Sequence, residues 1–280
     1  MTQLSDSRAP SSRPDEDVTY VFAVCRSTRA TSALDVTGVV GMPGGGAVRM
    51  LASDLLTAVV QTVPGTDFTD EVWQRRLSDR DEIERYARAH HVVVSAVAAR
   101  TPVVPLPLAT LYHDDARARR GLDEEADRFH AALKRVAHHA EWGVKVYEPT
   151  ASKAAPPPDA PGPESAAGGG GPPAPGAGLA YLNRKRGVQA RRELRREQAL
   201  DVAESVDAEL RGLAAASRRL RTHGAALSGD QRVHVLNATY LVADDRAAEV
   251  AVLVRTLGER TGTEIELSGP WVPYSFVGEV

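Results

Sequence analysis

Histidine is the side chain best suited to proton transfer and metal ligation near neutral pH, and this chain of 280 residues carries 8 of them. Two adjacent pairs stand out, His90-His91 and His138-His139. Neighbours on a helix point about 100° apart, so neither pair offers a shared ligand face, which needs spacings of three or four. His138 and Glu141 have such a spacing, but two groups do not make a metal site, and the expectation is surface or half-buried helix histidines. For covalent catalysis there is no G-x-S-x-G elbow. The single cysteine, Cys25, lies in an apolar run where a thiol behaves as a small hydrophobe. The four glycines at 168–171 are followed by no Lys-Ser/Thr and fed by no strand, so they do not read as a phosphate cradle. The expectation is a non-enzymatic protein with no cofactor, no metal and no catalytic residue.

Two other regions carry recognition chemistry. The arginine-rich run RKRGVQARRELRR, with Arg184 to Arg196 at its ends, could neutralise phosphates. No aromatic platform is interleaved with it, Glu193 and Glu197 dilute it, and the whole chain has a net charge of -3. A solvated or partner-docking helix face is therefore the stronger reading, and a nucleic-acid-binding module is the alternative. The second region is SGPWVPYSFV at 268–277. The chain holds 3 Trp, 7 Tyr and 4 Phe, yet Trp271, Tyr274 and Phe276 crowd into its last ten positions, framed by Gly269, Pro270 and Pro273. Two prolines fix φ and remove donors, which predicts a stiff, extended tail. Rings on such a rod bury much apolar area at small entropic cost. They fold back to cover a sheet of their own domain, face a partner, or do both with part of the tail buried and part presented, and if its ring is buried Trp271→Ala is expected to cost about 3 to 5 kcal/mol.

Several elements must position these residues. One cysteine excludes an intrachain disulfide framework. No segment approaches the ~18 to 20 apolar residues of a membrane helix, and the first 17 residues lack a signal peptide's apolar core; a soluble, cytoplasmic protein with a disordered tail over 1–17 is expected. The segment 149–178, containing APPPDAPGPESAAGGGGPPAPGAG, cannot hold a core and reads as a Pro/Gly-rich linker. It separates an N-terminal α+β domain at 18–148 from a C-terminal α+β domain at 179–280 that includes the tail. In the first, VTYVFAVC at 18–25 predicts a central strand, and 47–63 one or two more. Ile83, Tyr86, His90, Val94 and Val97 predict a helix from Ser78, while the three prolines of TPVVPLPLATL predict an edge segment or loop. Leu122, Ala126, Phe129, Leu133, Val136 and Ala140 predict one helix stopped near Gly143, followed by strand VKVY. In the second domain, Val202, Val206, Leu210, Leu213 and Leu220 predict one long helix from about Leu179. Strand 232–243, a helix capped at Asp244 or Asp245 and ended by Gly258 and Gly262, and strand TEIELSG follow.

The closing GPWVPYSFV resembles the GPWPPYSF signature that ends members of the gas vesicle protein GvpF/GvpL family. Other blocks are similar in the same order: YVFAV at 20–24, VVPLPLATLY at 103–112, EWGVKVY at 141–147, GLAYLNRKR at 178–186 and VLNATYLV at 235–242. The likeness spans nearly everything but the first residues and the linker. One departure stands in the middle block, where the family reads VLPLRFGT and this chain has Pro107, Leu108 and Ala109 at the Arg, Phe and Gly positions. The resemblance implies two α+β domains with long helices, the C-terminal one a modified ferredoxin-like arrangement. It implies a gas vesicle accessory or minor structural protein, in the cytoplasm and associated with vesicles. The implied partners are the small hydrophobic major shell protein, GvpA-like, and other vesicle accessory proteins. It implies no catalytic residues and makes Gly269, Pro270, Trp271, Pro273, Tyr274 and Phe276 the candidate site for packing or partner contact.

Overall fold

A computed structural model of the chain describes residues 17–148, 177–221 and 234–278. The predicted N-terminal tail, apart from Asp17, and the predicted linker up to residue 176 lie outside these residues. The chain divides into two compact units, Met1–Glu141 with Pro270–Val280, and Trp142–Gly269. This differs from the predicted boundaries at both ends of the second unit. The strand before the linker belongs mostly to the second sheet, and the aromatic tail belongs to the first unit.

In the first unit, β1 (Asp17–Arg26) is the central strand that its β-branched and aromatic residues predict. It pairs antiparallel with β3 (Leu56–Pro64), from Asp17↔Pro64 to Arg26↔Leu56, with a bulge between Val21 and Ala23. β2 (Arg49–Ala52) pairs with the far edge of β3. The proline-rich segment supplies two short pieces on the other edge of β1, β4 (Val104–Pro105) and β5 (Leu111–Tyr112). A proline lacks the donor a central strand needs, so this edge position is where it fits. The bulge sets which residues face which layer: Tyr20, Phe22, Ala23 and Cys25 join one core cluster, while Val21 and Val24 join the other.

After a four-residue helix α1 (Arg29–Ser32) and a 3₁₀ turn at Gly65–Phe68 come α2 (Asp70–Ser78), capped by Thr69, and α3 (Arg80–Ala98). Asp79 caps α3 by accepting from the backbone N–H groups of Asp81 and Glu82. The buried stripe Tyr86, His90, Val93, Val94 and Val97 lays α3 on the first cluster, with Val59 and Val63 from β3. The second cluster is covered by α4 (Asp115–Glu124) and α5 (Ala126–Val136) through Leu122, Phe129 and Leu133. The stripe read as one helix to Ala140 is therefore two helices that end at Val136. His138 adopts φ 60, which turns the chain, and His139 opens β6 (His139–Tyr147). His138-His139 is thus not a helical pair. Alternate burial of Trp142, Val144 and Val146 in a sheet outweighs the helical spacing of Ala140.

In the second unit, α6 (Ala177–Leu213) takes in the last two residues of the predicted linker. Among its described residues Ala199, Ala203, Val206 and Leu210 are its buried apolar positions. The helix stops before Leu220, because Ala215 donates to Leu241 O and the chain becomes β7 (Ala216–Arg219), paired with β8 (His234–Ala243). A 3₁₀ turn at Asp244–Arg246 leads into α7 (Ala247–Thr261). Gly258 lies inside α7, and Gly262, at φ 64, ends it. The last strand is β9 (Ile265–Trp271), and the sheet order is β7-β8-β6-β9. Mixed helix with antiparallel sheet is the α+β class that the sequence predicts.

Candidate functional site

The tail starts on β9, which reaches through Pro270 to Trp271, two residues further than a proline-terminated strand would. Gly269 sits at φ 126, a conformation open to glycine but strained for other residues. Beyond it the chain is not an extended rod. Pro273 opens a 3₁₀ turn over Tyr274–Phe276, because a proline without a donor still accepts: Phe276 N–H bonds to Pro273 O at 3.3 Å, and Tyr274 N–H to Val272 O at 2.8 Å.

This turn is anchored by a buried carboxylate. Glu141 Oε2 accepts from Ser275 N–H at 2.9 Å, and Oε1 from the Ser275 hydroxyl at 2.6 Å. A carboxylate taking two donors satisfies its own burial and fixes the turn's register. Phe276 is 3% exposed, Pro273 is buried, and Val272 and Val277 pack against the first and second core clusters. The tail thus covers the first unit's core, not its own sheet.

The remaining rings face outward. Trp271 is 50% exposed and Tyr274 37%, so Trp271 is not the core residue of the fold-back expectation. Both lean on His91 of α3, whose ring centroid is 6.0 Å from each. Tyr274 Oη lies 3.4 Å from His91 Nδ1, and Ser95 Oγ 3.2 Å from His91 Nε2. Beneath them, buried His90 has Nδ1 2.8 Å from Tyr20 Oη, which accepts from Ala109 N–H at 3.1 Å. Burial lowers the His90 pKa to about 4 and raises that of Tyr274 to about 12, so both are neutral at pH 7. Burial likewise raises the Tyr20 phenol.

Ser95 and His91 lie at a nucleophile–base distance, but the group on the far side of His91 is a neutral phenol. A neutral phenol carries no charge to balance the imidazolium that general-base catalysis would form, unlike the carboxylate of a catalytic triad. Cys25 is buried with its thiol pushed up to about 11 by desolvation, donating to Thr57 O, and so matches the inert reading. Among the described residues no three His, Cys, Asp or Glu side chains are placed to hold a metal, and no helix is long and apolar enough to cross a membrane. Of the arginine-rich run, Lys185, Arg186, Arg195 and Arg196 are exposed on the first half of α6. The structure thus brings Trp271 and Tyr274 together around His91 and uses Pro273 and Phe276 as the base beneath them. His91 and Glu141 were not singled out in sequence as the tail's receptors; the one available signal was a carboxylate set in the apolar strand EWGVKVY.

The family model described as gas vesicle synthesis protein GvpL/GvpF matches residues 18–278. Gas vesicle protein L of Streptomyces sp. (strain CB03234) is 37% identical over 260 residues, covering 92% of each chain. Gas vesicle protein L1 of Halobacterium salinarum (strain ATCC 700922 / JCM 11081 / NRC-1) is 24% identical over 271 residues, covering 93% of this chain and 90% of that one. The fold is similar to the crystal structure of GvpF from Anabaena sp. PCC7120, with TM-score 0.58 at 12% identity over 95% of this chain and 98% of that one. It is also similar to GvpF from Microcystis aeruginosa, with TM-score 0.56 at 14% identity over 94% and 99%. With its closing motif, its combination of helices and antiparallel sheets and a family match over residues 18–278, the chain belongs to the GvpL/GvpF family of gas vesicle proteins.

Proposed function

We propose that this chain is a non-enzymatic accessory protein of gas vesicle formation that captures the small apolar shell subunit and assists its assembly. It acts in the cytoplasm, beside other vesicle accessory proteins. The observation that carries this reading is the division of the motif. Pro273, Ser275 and Phe276 are spent on anchoring, while Trp271 and Tyr274 stay half exposed on a rigid base. Rings already fixed in place lose little freedom on binding, and each offers a large apolar face with one polar atom. A shell subunit with a gas-facing apolar surface aggregates unless that surface is covered, which is what such a face can do. Among its described residues the second unit runs β-α-β-β-α-β with sheet order β7-β8-β6-β9, which supports a modified ferredoxin-like arrangement.

Co-purification with the shell subunit tests this. Wild type is expected to retain the subunit, and Trp271→Ala with Tyr274→Ala to lose most of it at an unchanged Tm. Undiminished capture by the double variant would reject the ring surface. Failure of wild type to capture, with normal vesicles in a deletion strain, would reject the function.

A further inference from the structure

A second face of α3 bounds a groove that the tail does not use. Its far wall is the glycine-rich loop at 39–46, and between loop and helix lies a space of about 620 Å³ lined by Val39, Val40, Met42, Pro43, Ala89 and Val92, with Arg85 and Arg88 on the helix side. The loop's shape is built by one buried side chain. Gln61 Oε1 accepts from Met42 N–H at 2.7 Å, and Nε2 donates to Gly46 O at 2.7 Å and Met42 O at 3.3 Å. The loop closes on this amide so tightly that a Cβ on Gly41 or Gly45 would stand 2.4 Å from it, which is why those positions are glycine. A buried polar side chain committed wholly to a loop's backbone makes that loop a fixed wall. Yet the wall leaves Val40 77% exposed, and Val92 across from it is 46% exposed.

We infer that this groove docks an amphipathic helix of a protein partner, with apolar residues at i, i+3, i+4 and i+7 and acidic residues on its flank. The lining favours a helix over a small molecule. A small-molecule pocket needs polar groups converging on the ligand, whereas here the amide of Gln61 is already used and the other polar side chains, Arg85 and Arg88, stand together on the helix side. The positions on α3, Arg85, Arg88, Ala89 and Val92, repeat at helical spacing over about 10 Å, the reach of two turns on an opposing helix. The charge is also one-sided, since Arg85 and Arg88 line the groove and no carboxylate does. Their present partners sit just outside on the same helix: Arg85 pairs with Glu82 at 2.7 Å and Arg88 with Glu84, while Asp81 lies nearby. Such exposed pairs contribute little, about 0 to 1 kcal/mol, so a carboxylate arriving with apolar contacts can take either arginine. This docking site is separate from Trp271 and Tyr274 and does not require the shell subunit to be its occupant.

The test uses the full chain and fluorescein-labelled helical peptides with Leu at i, i+3, i+4 and i+7, flanked either by Glu or by Lys, read by fluorescence anisotropy. The Glu-flanked peptide is expected to bind saturably and at least about tenfold more tightly than the Lys-flanked one. Val40→Asp and Val92→Glu, both at exposed positions, are expected to weaken it about tenfold with Tm unchanged. Arg85→Glu with Arg88→Glu is expected to reverse the preference. Absence of saturable binding, equal binding of both peptides, or binding indifferent to Val40→Asp and Val92→Glu would overturn the inference. Trp271→Ala leaves this binding intact, so its failure is distinguishable from failure of shell capture.

Discussion

Ala109 adopts φ 63, a left-handed conformation that costs an L-residue about 1 to 2 kcal/mol. The family pattern places glycine there, and the geometry shows why: the turn must present Ala109 N–H to Tyr20 Oη. Ala109→Gly is expected to raise stability by up to about 1 kcal/mol, after the greater unfolded-state entropy of glycine is subtracted, read as a higher denaturant midpoint at constant m-value. Burial separates the tail rings in the same way. Phe276→Ala removes a buried ring and is expected to cost about 3 to 5 kcal/mol, whereas Trp271→Ala, at a half-exposed position, is expected to stay below about 1 kcal/mol. Thermal melts of the two variants side by side check this. His90 supplies a pH dependence. Its folded pKa of about 4 lies below the ordinary 6.5, so the unfolded chain binds more protons between these values and stability falls as pH drops through that window. Integrated over the window, the loss is about 3 kcal/mol. His90→Gln is expected to flatten the stability curve between pH 6.5 and 4 relative to wild type; parallel curves would show that His90 is not the source.

At the scale of elements, one buried carboxylate ties α6 to β7 and β8. Asp207 on α6 accepts from Tyr240 Oη at 2.7 Å and from Arg219 at 2.6 and 3.0 Å, and Arg219 forks onward to Glu204. Desolvation, then the Asp207 hydrogen bond and charge, raise the Tyr240 phenol well above its usual range. Removing one partner of such a cluster strands the others, so Asp207→Ala is expected to cost about 3 kcal/mol or more, and Tyr240→Phe about 1 kcal/mol, measured by chemical denaturation. None of this was legible in the sequence. The strand β7 has the sequence ASRR, with a single half-buried residue, and is a strand because β8 lends it a ladder. Where burial repeats within one element the sequence did speak, as in β1 and the buried stripe of α3. It misled where two periods overlap: Ala140 lies four residues beyond Val136, and the break falls at His138, a residue whose type does not announce a left-handed turn. The candidate site divides likewise. Its six motif residues stand together in the chain and were found, but their supports, Glu141 and His91, lie 134 and 183 positions away from the groups they meet, a distance that no local pattern encodes.

At the scale of the whole molecule, the chain leaves the first compact unit within β6 and returns to it at the end of β9. The first unit is therefore discontinuous, completed only when the last segment of the chain arrives with Val272 and Val277 to pack on its two core clusters and with Pro273 and Phe276 buried between them in sequence. A cut at residue 148, which the composition recommends as a domain boundary, separates this unit from its own cover. It also leaves Glu141, a buried carboxylate, without the two donors of Ser275, a penalty of about 1 to 3 kcal/mol for the unsatisfied group on top of the lost ring. Fragment 1–148 is accordingly expected to melt lower than the first unit does in the full chain and to bind a hydrophobic dye. A synthetic peptide covering 269–278, added in trans, is expected to raise its Tm in a concentration-dependent way, and the same peptide with Phe276→Ala to have no effect. A fragment as stable as the full chain and indifferent to the peptide would mean that the tail is merely laid on the first unit. It would then remain free to serve the partner with all of its rings, instead of the two that the structure leaves exposed.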